Sequence, residues 1–219
     1  MTSLWIPRLL TTFTHLLLCA CFVGGCGDDA SEGDAGARDI GVVDTNVDAE
    51  NEPGVFIVDF DTSAGSFAVE VHSEWSPNGA AHFRALVESG YYDDQRIFRV
   101  IPGFVAQWGI HGTPADHNTM TIPDDPVRQA NVRGTLSFAK TPEPNSRASQ
   151  VFISYVDNRF LDGMGFAPFG RVVEGLETVD SFNGEYEDTP VQARIVAEGN
   201  TYLDASFPNL TQIRSATIR

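Results

Sequence analysis

From Val55 onward the chain is cut into short apolar runs bounded by turn residues, and this pattern most narrows the folds open to it. The runs are "VFIVDF" (55–60), "SFAVEV" (66–71), "RIFRVI" (96–101), "FVAQWG" (104–109), "GTLSFAK" (134–140), "VFISYV" (151–156), "PFGRVV" (168–173) and "VQARIVAEG" (191–199). They are rich in β-branched and aromatic residues, which fit a pleated surface. "DTSAG" joins the first two as a hairpin turn. Two helices are expected among them. In "SPNGAAHFRALVESG", Ser76 suits the N-cap and Pro77 the first turn. Ala80, Phe83, Leu86 and Val87 repeat at helical spacing, and Gly90 is a stop. A shorter helix is expected at about 175–182. Eight short strands with two helices argue for an antiparallel barrel or sandwich rather than an α/β fold.

The N-terminus reads as an address. Residues 1–26 hold one charge, Arg8, and all three cysteines of the chain. The apolar run from Leu9 to Gly25 is interrupted by Thr11, Thr12, Thr14 and His15, so its strongly apolar part is too short for a spanning helix. Residues 1–25 are therefore expected to be a signal peptide. The run ends in "FVGGC", which resembles a bacterial lipobox, with Cys26 as lipid attachment site and first mature residue. "LCAC", ending at Cys21, is a competing register.

Residues 26–53 form an acidic linker. Nine carboxylates stand there against Arg38, and large apolar residues are few, so the segment cannot offset the entropy of ordering. It is expected to hold a folded domain, residues 54–219, away from a membrane surface in the cell envelope. No cysteine follows Cys26, so that domain has no disulfide framework. The whole chain carries −16, which disfavours a nucleic-acid partner.

Most catalytic constellations can be set aside. His111 and His117, with Asp116 nearby, lack a metal-ligand pattern, and His72 stands apart. "GMGFAPFG" does not join a strand to a helix as a dinucleotide site requires. No GxSxG elbow occurs. No metal or cofactor is therefore expected. What remains is a guanidinium, Arg99, and an amide, Gln107, inside the apolar stretch "RIFRVIPGFVAQWG". That inventory offers no obvious nucleophile or base. Rotation about a peptide bond requires neither.

The segment Phe98-Arg99-Val100-Ile101-Pro102-Gly103-Phe104-Val105-Ala106-Gln107 resembles the "F-H-R-x-I-P-G-F-x-x-Q-x-G" signature of cyclophilin-type peptidyl-prolyl isomerases. Further blocks are similar in the family's order. "AAHFRAL" resembles its "T-A-x-N-F-x-x-L" helix, with His82 for Asn. "GTLSFAK" is similar to its groove strand, "SRASQVFISY" to its "S-x-x-S-Q-F-F-I" block, and "RFLDGMGFAPFGRVVEG" to its "W-L-D…F-G-x-V-x-x-G" block. Together these span about residues 55–199. "IPDDPVRQANVRG" and "GNTYLDASFPNL" resemble a bacterial subgroup.

The resemblance implies a mainly β fold, an eight-stranded antiparallel β-barrel capped by two α-helices, with a groove on the outer face. It implies a catalytic role for Arg99, supported by Gln107. It places Phe104, Phe152 and Leu161 in the walls of a proline pocket, with Val105, Phe160 and Phe166 beside it. Ala139, Lys140 and Gln150 would meet the substrate backbone. Proline-containing polypeptides, including folding exported proteins, would be the partners, and a monomer is expected.

This chain departs from the family at several of these places. Phe98 replaces a His, Val105 a Met, Trp108 a Gly, Lys140 an Asn, Phe160 a Trp and Phe166 a pocket His. Two other readings compete: a proline-peptide-binding module with little turnover on the same fold, and an unrelated β-barrel ligand carrier.

Overall fold

The computed structural model describes residues 54–219. The expected signal peptide, Cys26 and the acidic linker to residue 53 lie outside the described residues. Among the described residues the strands are β1 (Val55–Thr62), β2 (Gly65–His72), β3 (Arg99–Ile101), β4 (Val105–Trp108), β5 (Thr135–Phe138), β6 (Val151–Ser154), β7 (Pro168–Glu174) and β8 (Ile213–Ile218). The helices are α1 (Pro77–Glu88), α2 (Leu176–Asp180), α3 (Gln192–Glu198) and α4 (Asn200–Ser206). None of these is long and apolar enough to cross a membrane.

The strands form one antiparallel sheet in the order β3-β4-β6-β5-β7-β2-β1-β8. The sheet curls until its ends approach. There the Ile97 amide donates to the Thr211 carbonyl at 2.9 Å and the Ile213 amide to the Gln95 carbonyl at 2.8 Å. The expectation of eight antiparallel strands holds.

Two details of that expectation need correcting. "VQARIVAEG" is not a strand: it forms α3, and the eighth strand is β8, whose sequence is "IRSATI". The expected pair of helices becomes four among the described residues. Alternation would require Val191, Ala193, Ile195 and Ala197 to share a buried face, yet of these only Ile195 is buried. Gln, Ala, Arg and Glu are good helix formers, and Arg194 pairs with Glu198 one turn on at 2.7 Å. The strand β8 escapes sequence reading because it buries only Ile213 and Ala216 and turns Arg214 outward.

The helix α1 begins at Pro77 and ends before Gly90, which takes a left-handed φ of 69°. Its cap comes from afar. Ser76 makes no side-chain cap bond; it donates to Asp125 at 2.5 Å. The Asp125 carboxylate accepts the amides of Asn78 (3.2 Å) and Gly79 (2.9 Å), the first free donors of the helix. The buried Arg147 closes this cluster, donating to Asp125 at 2.9 Å and to the Pro123 carbonyl. Burial alone would push the Asp125 carboxyl up, but Ser76, the Gly79 amide and Arg147 hold it below the usual carboxylate range.

The barrel interior is aromatic. Phe60 and Phe67 stack with centroids 4.7 Å apart, and Trp108 meets Phe60 edge-on at 5.7 Å. The large ring at position 108 is thus core. A second cluster lies outside the sheet, where Phe98 packs with Ile110, Ile195, Tyr202, Leu203 and Leu210. Phe98 is the seat on which α3 and α4 rest, which accounts for an apolar residue there.

Candidate active site

Alternation along the strands divides the signature segment. Val100, Ala106, Trp108, Val151 and Ile153 enter the barrel core, while Val105 and Phe152 join a separate small cluster with Leu161. Arg99 pairs with Gln107 across β3–β4, and Gln107 pairs with Phe152 across β4–β6. A one-residue slip would exchange the two faces, so the apolar pattern also fixes which polar groups face out.

On that outer face lies a cavity of about 160 Å³ lined by Arg99, Phe104, Val105, Gln107, Ala139, Lys140, Phe152, Leu161 and Phe166. These nine are among the residues that the sequence resemblance nominates. Val105, Phe152 and Leu161 are buried, and Phe166 meets Phe152 nearly edge-on at 5.8 Å. Phe160 sits outside this lining. It is 62 % exposed and stacks on Phe104 with centroids 6.1 Å apart.

The wall carrying Leu161 and Phe166 is pinned by residues that sequence reading passed over. Leu161 lies in a 3-10 segment, Arg159–Met164, ended by the left-handed Gly165. The buried Asn131 donates to Asp162 at 2.7 Å and to the Phe166 carbonyl at 2.8 Å. Asn158 donates to the Phe104 carbonyl at 3.0 Å. Isolated asparagines in loops carry no periodic signal, so neither stands out before the fold is known.

A polar row crosses one side of the cavity. Arg99 Nη1 donates to Gln107 Oε1 at 3.1 Å, and Gln107 Nε2 donates to Gln150 Oε1 at 2.8 Å. Arg99 Nε donates to Asp188 Oδ1 at 2.7 Å. The guanidinium carbon is 5.8 Å from the Phe104 ring centroid. Asp188 went unnoticed in the sequence because it lies in the polar stretch "NGEYEDT", 89 residues beyond its partner.

An adjoining cavity of about 330 Å³ continues past Gln107 and Gln150 to His117, Asn118 and Gln192. Lys140 and Ala139 line both spaces. The Lys140 ammonium pairs with Asp124 at 3.2 Å. Burial, with a smaller contribution from His111, holds His117 below the usual histidine range, and its Nδ1 lies 3.2 Å from the Tyr91 hydroxyl.

The site is an apolar cleft on the outside of an antiparallel barrel, edged by a guanidinium and a row of amides. The family model described as "Cyclophilin type peptidyl-prolyl cis-trans isomerase/CLD" matches residues 57–199, and the chain belongs to this family. It is 34 % identical over 151 residues to "Peptidyl-prolyl cis-trans isomerase A" of Dickeya dadantii, covering 62 % of this chain and 78 % of that one. It is 33 % identical over 158 residues to a Streptomyces antibioticus peptidyl-prolyl cis-trans isomerase, covering 64 % and 94 %.

Among solved structures, a cyclophilin-type isomerase of Cryptosporidium parvum superposes with a TM-score of 0.58 at 24 % identity, covering 75 % of this chain and 98 % of that one. A cyclophilin of Hirschia baltica superposes at 0.59 and 20 % identity, covering 80 % and 81 %. These two likenesses concern the fold.

Proposed function

We propose that this isomerase turns X–Pro bonds in the cleft between Arg99 and Phe152, and that it does so on exported proteins from an anchor in the cell envelope. The barrier to rotation is about 18–20 kcal/mol because rotation breaks amide resonance. As the bond twists, the prolyl nitrogen becomes pyramidal and gains a lone pair. A guanidinium N–H aimed at that nitrogen bonds the twisted form better than the planar one, and this difference lowers the barrier. The prolyl ring rests on Val105, Phe152 and Leu161. Gln107, Gln150 and the backbone of Ala139 and Lys140 take the flanking peptide groups.

One observation carries this reading: the Arg99 guanidinium is held at the rim of an apolar cavity by Gln107 on Nη1 and Asp188 on Nε. A protease-coupled assay on a proline peptide tests it. Acceleration lost in Arg99→Ala is the expected result, and a wild type running at the uncatalysed rate would leave peptide binding alone.

The envelope part of the reading rests on "FVGGC" and the acidic stretch that follows it. Labelled palmitate incorporated by the full chain and lost in Cys26→Ser is expected. Label retained in that variant would move the attachment to Cys21 or elsewhere, and a full chain that takes up no label would remove the anchor from the reading.

A further inference from the structure

Asp188 is the contact to Arg99 that the barrel does not supply. It sits between α2 and α3, and the chain around it is shaped to present it. The Glu187 amide donates to the Gly184 carbonyl at 3.3 Å and the Thr189 amide to the Tyr186 carbonyl at 2.9 Å, giving two overlapping turns. Glu187 takes a left-handed φ of 46°, which costs a non-glycine residue on the order of 1 kcal/mol. Tyr186 meets Phe207 edge-on at 5.1 Å, and Phe207 meets Tyr202 at 5.5 Å. The Val191 amide donates to the Tyr202 hydroxyl at 3.2 Å, and Pro190 is buried. The aromatic group that aims this loop also belongs to the cluster resting on Phe98.

A planar guanidinium held at one nitrogen can still pivot. Held at Nη1 by Gln107 and at Nε by Asp188, it has one plane. We propose that Asp188 is a positioning residue for the isomerase reaction, setting the plane of Arg99 so that its remaining N–H groups meet the twisted prolyl nitrogen. The inference rests on the reading of Arg99 as the catalytic group. A carboxylate also subtracts charge from that group. The Asp188 side chain is 63 % exposed, so solvent screens this subtraction and orientation outweighs it.

The test measures kcat and KM on a proline peptide for Asp188→Ala, Asp188→Asn, Arg99→Ala and the Arg99→Ala/Asp188→Ala pair, with thermal midpoints alongside. Asp188→Ala is expected to lower kcat about two- to fivefold with KM unchanged. Asp188→Asn, which keeps an acceptor oxygen, should recover part of the loss. In the Arg99→Ala background the second substitution should change nothing. Unchanged or higher kcat in Asp188→Ala, with turnover lost in Arg99→Ala, overturns the role of Asp188 alone. The same loss in both backgrounds, or one that tracks a fallen midpoint, makes Asp188 a structural residue and also overturns it. Full activity in Arg99→Ala removes the reading of Arg99 and this inference together.

Discussion

Arg99 and Gln107 are direct partners across the β3–β4 pair, and the guanidinium Nη1 donates to the Gln107 amide oxygen at 3.1 Å. Because the Gln107 amide nitrogen donates onward to Gln150, the amide has one orientation, with oxygen toward the arginine. The strand register therefore sets the position of the positive charge to within a hydrogen bond.

Removing that charge should cost turnover more than binding. Arg99→Ala is expected to lower kcat about 10²- to 10³-fold, the range seen when a single transition-state donor is deleted. Arg99→Lys should recover little, since an ammonium has no fork to share among Gln107, Asp188 and substrate. Peptide affinity, read by fluorescence titration, should change far less than kcat.

Gln107→Ala frees the guanidinium at Nη1 and leaves Gln150 without its donor. A hydrogen bond to a charged group contributes about 1.5–3 kcal/mol, so kcat/KM is expected to fall roughly 10- to 150-fold. The proline-peptide assay reads this directly, and full activity would mean that the row is not needed.

Asp125→Ala leaves the Arg147 guanidinium, whose side chain is 1 % exposed, without its closest carboxylate, and it uncaps α1. Breaking a buried pair by removing one partner costs about 3–5 kcal/mol. Urea unfolding should show a lower midpoint at an unchanged slope.

Stability should also fall as the solution is acidified through the histidine range. The His82 ring is buried in α1 and donates from Nε2 to the Ala148 carbonyl at 2.8 Å. Burial, aided by the nearby Arg147, pushes its pKa below the ordinary 6.5. The unfolded chain then binds the proton first, so stability is complete above the unfolded value and is lost as pH falls toward the folded one. His117 acts in the same direction. Melting temperatures measured between pH 7.5 and 5.5 should fall in the wild type. The fall should be shallower in His82→Asn.

The residues that build the cavity were legible because they fall in blocks that resemble the family's motifs. Arg99, Phe104, Val105 and Gln107 lie within nine positions in one such block, and Ala139, Lys140, Phe152, Leu161 and Phe166 lie in others. The groups that hold them were not. Asp188, Asn131 and Asp125 are single polar residues in loops, each meeting its partner across 22 to 89 positions. A lone polar residue has no period, and its role exists only once burial brings a donor to it. The α3 segment failed for the opposite reason: "VQARIVAEG" has the apolar content of a strand, yet among its apolar side chains only Ile195 is buried.

The first strand of the barrel is completed by the last. The edge of β1 away from β2 is bonded by β8, and the Arg219 amide donates to the Ile57 carbonyl at 3.0 Å. A chain made N-terminus first therefore carries β1 with a bare edge until β8 emerges, and such an edge is an open template for other strands. The barrel is exposed to misassembly for as long as β1 lacks that partner. The β1–β8 seam is the closure that ends that exposure.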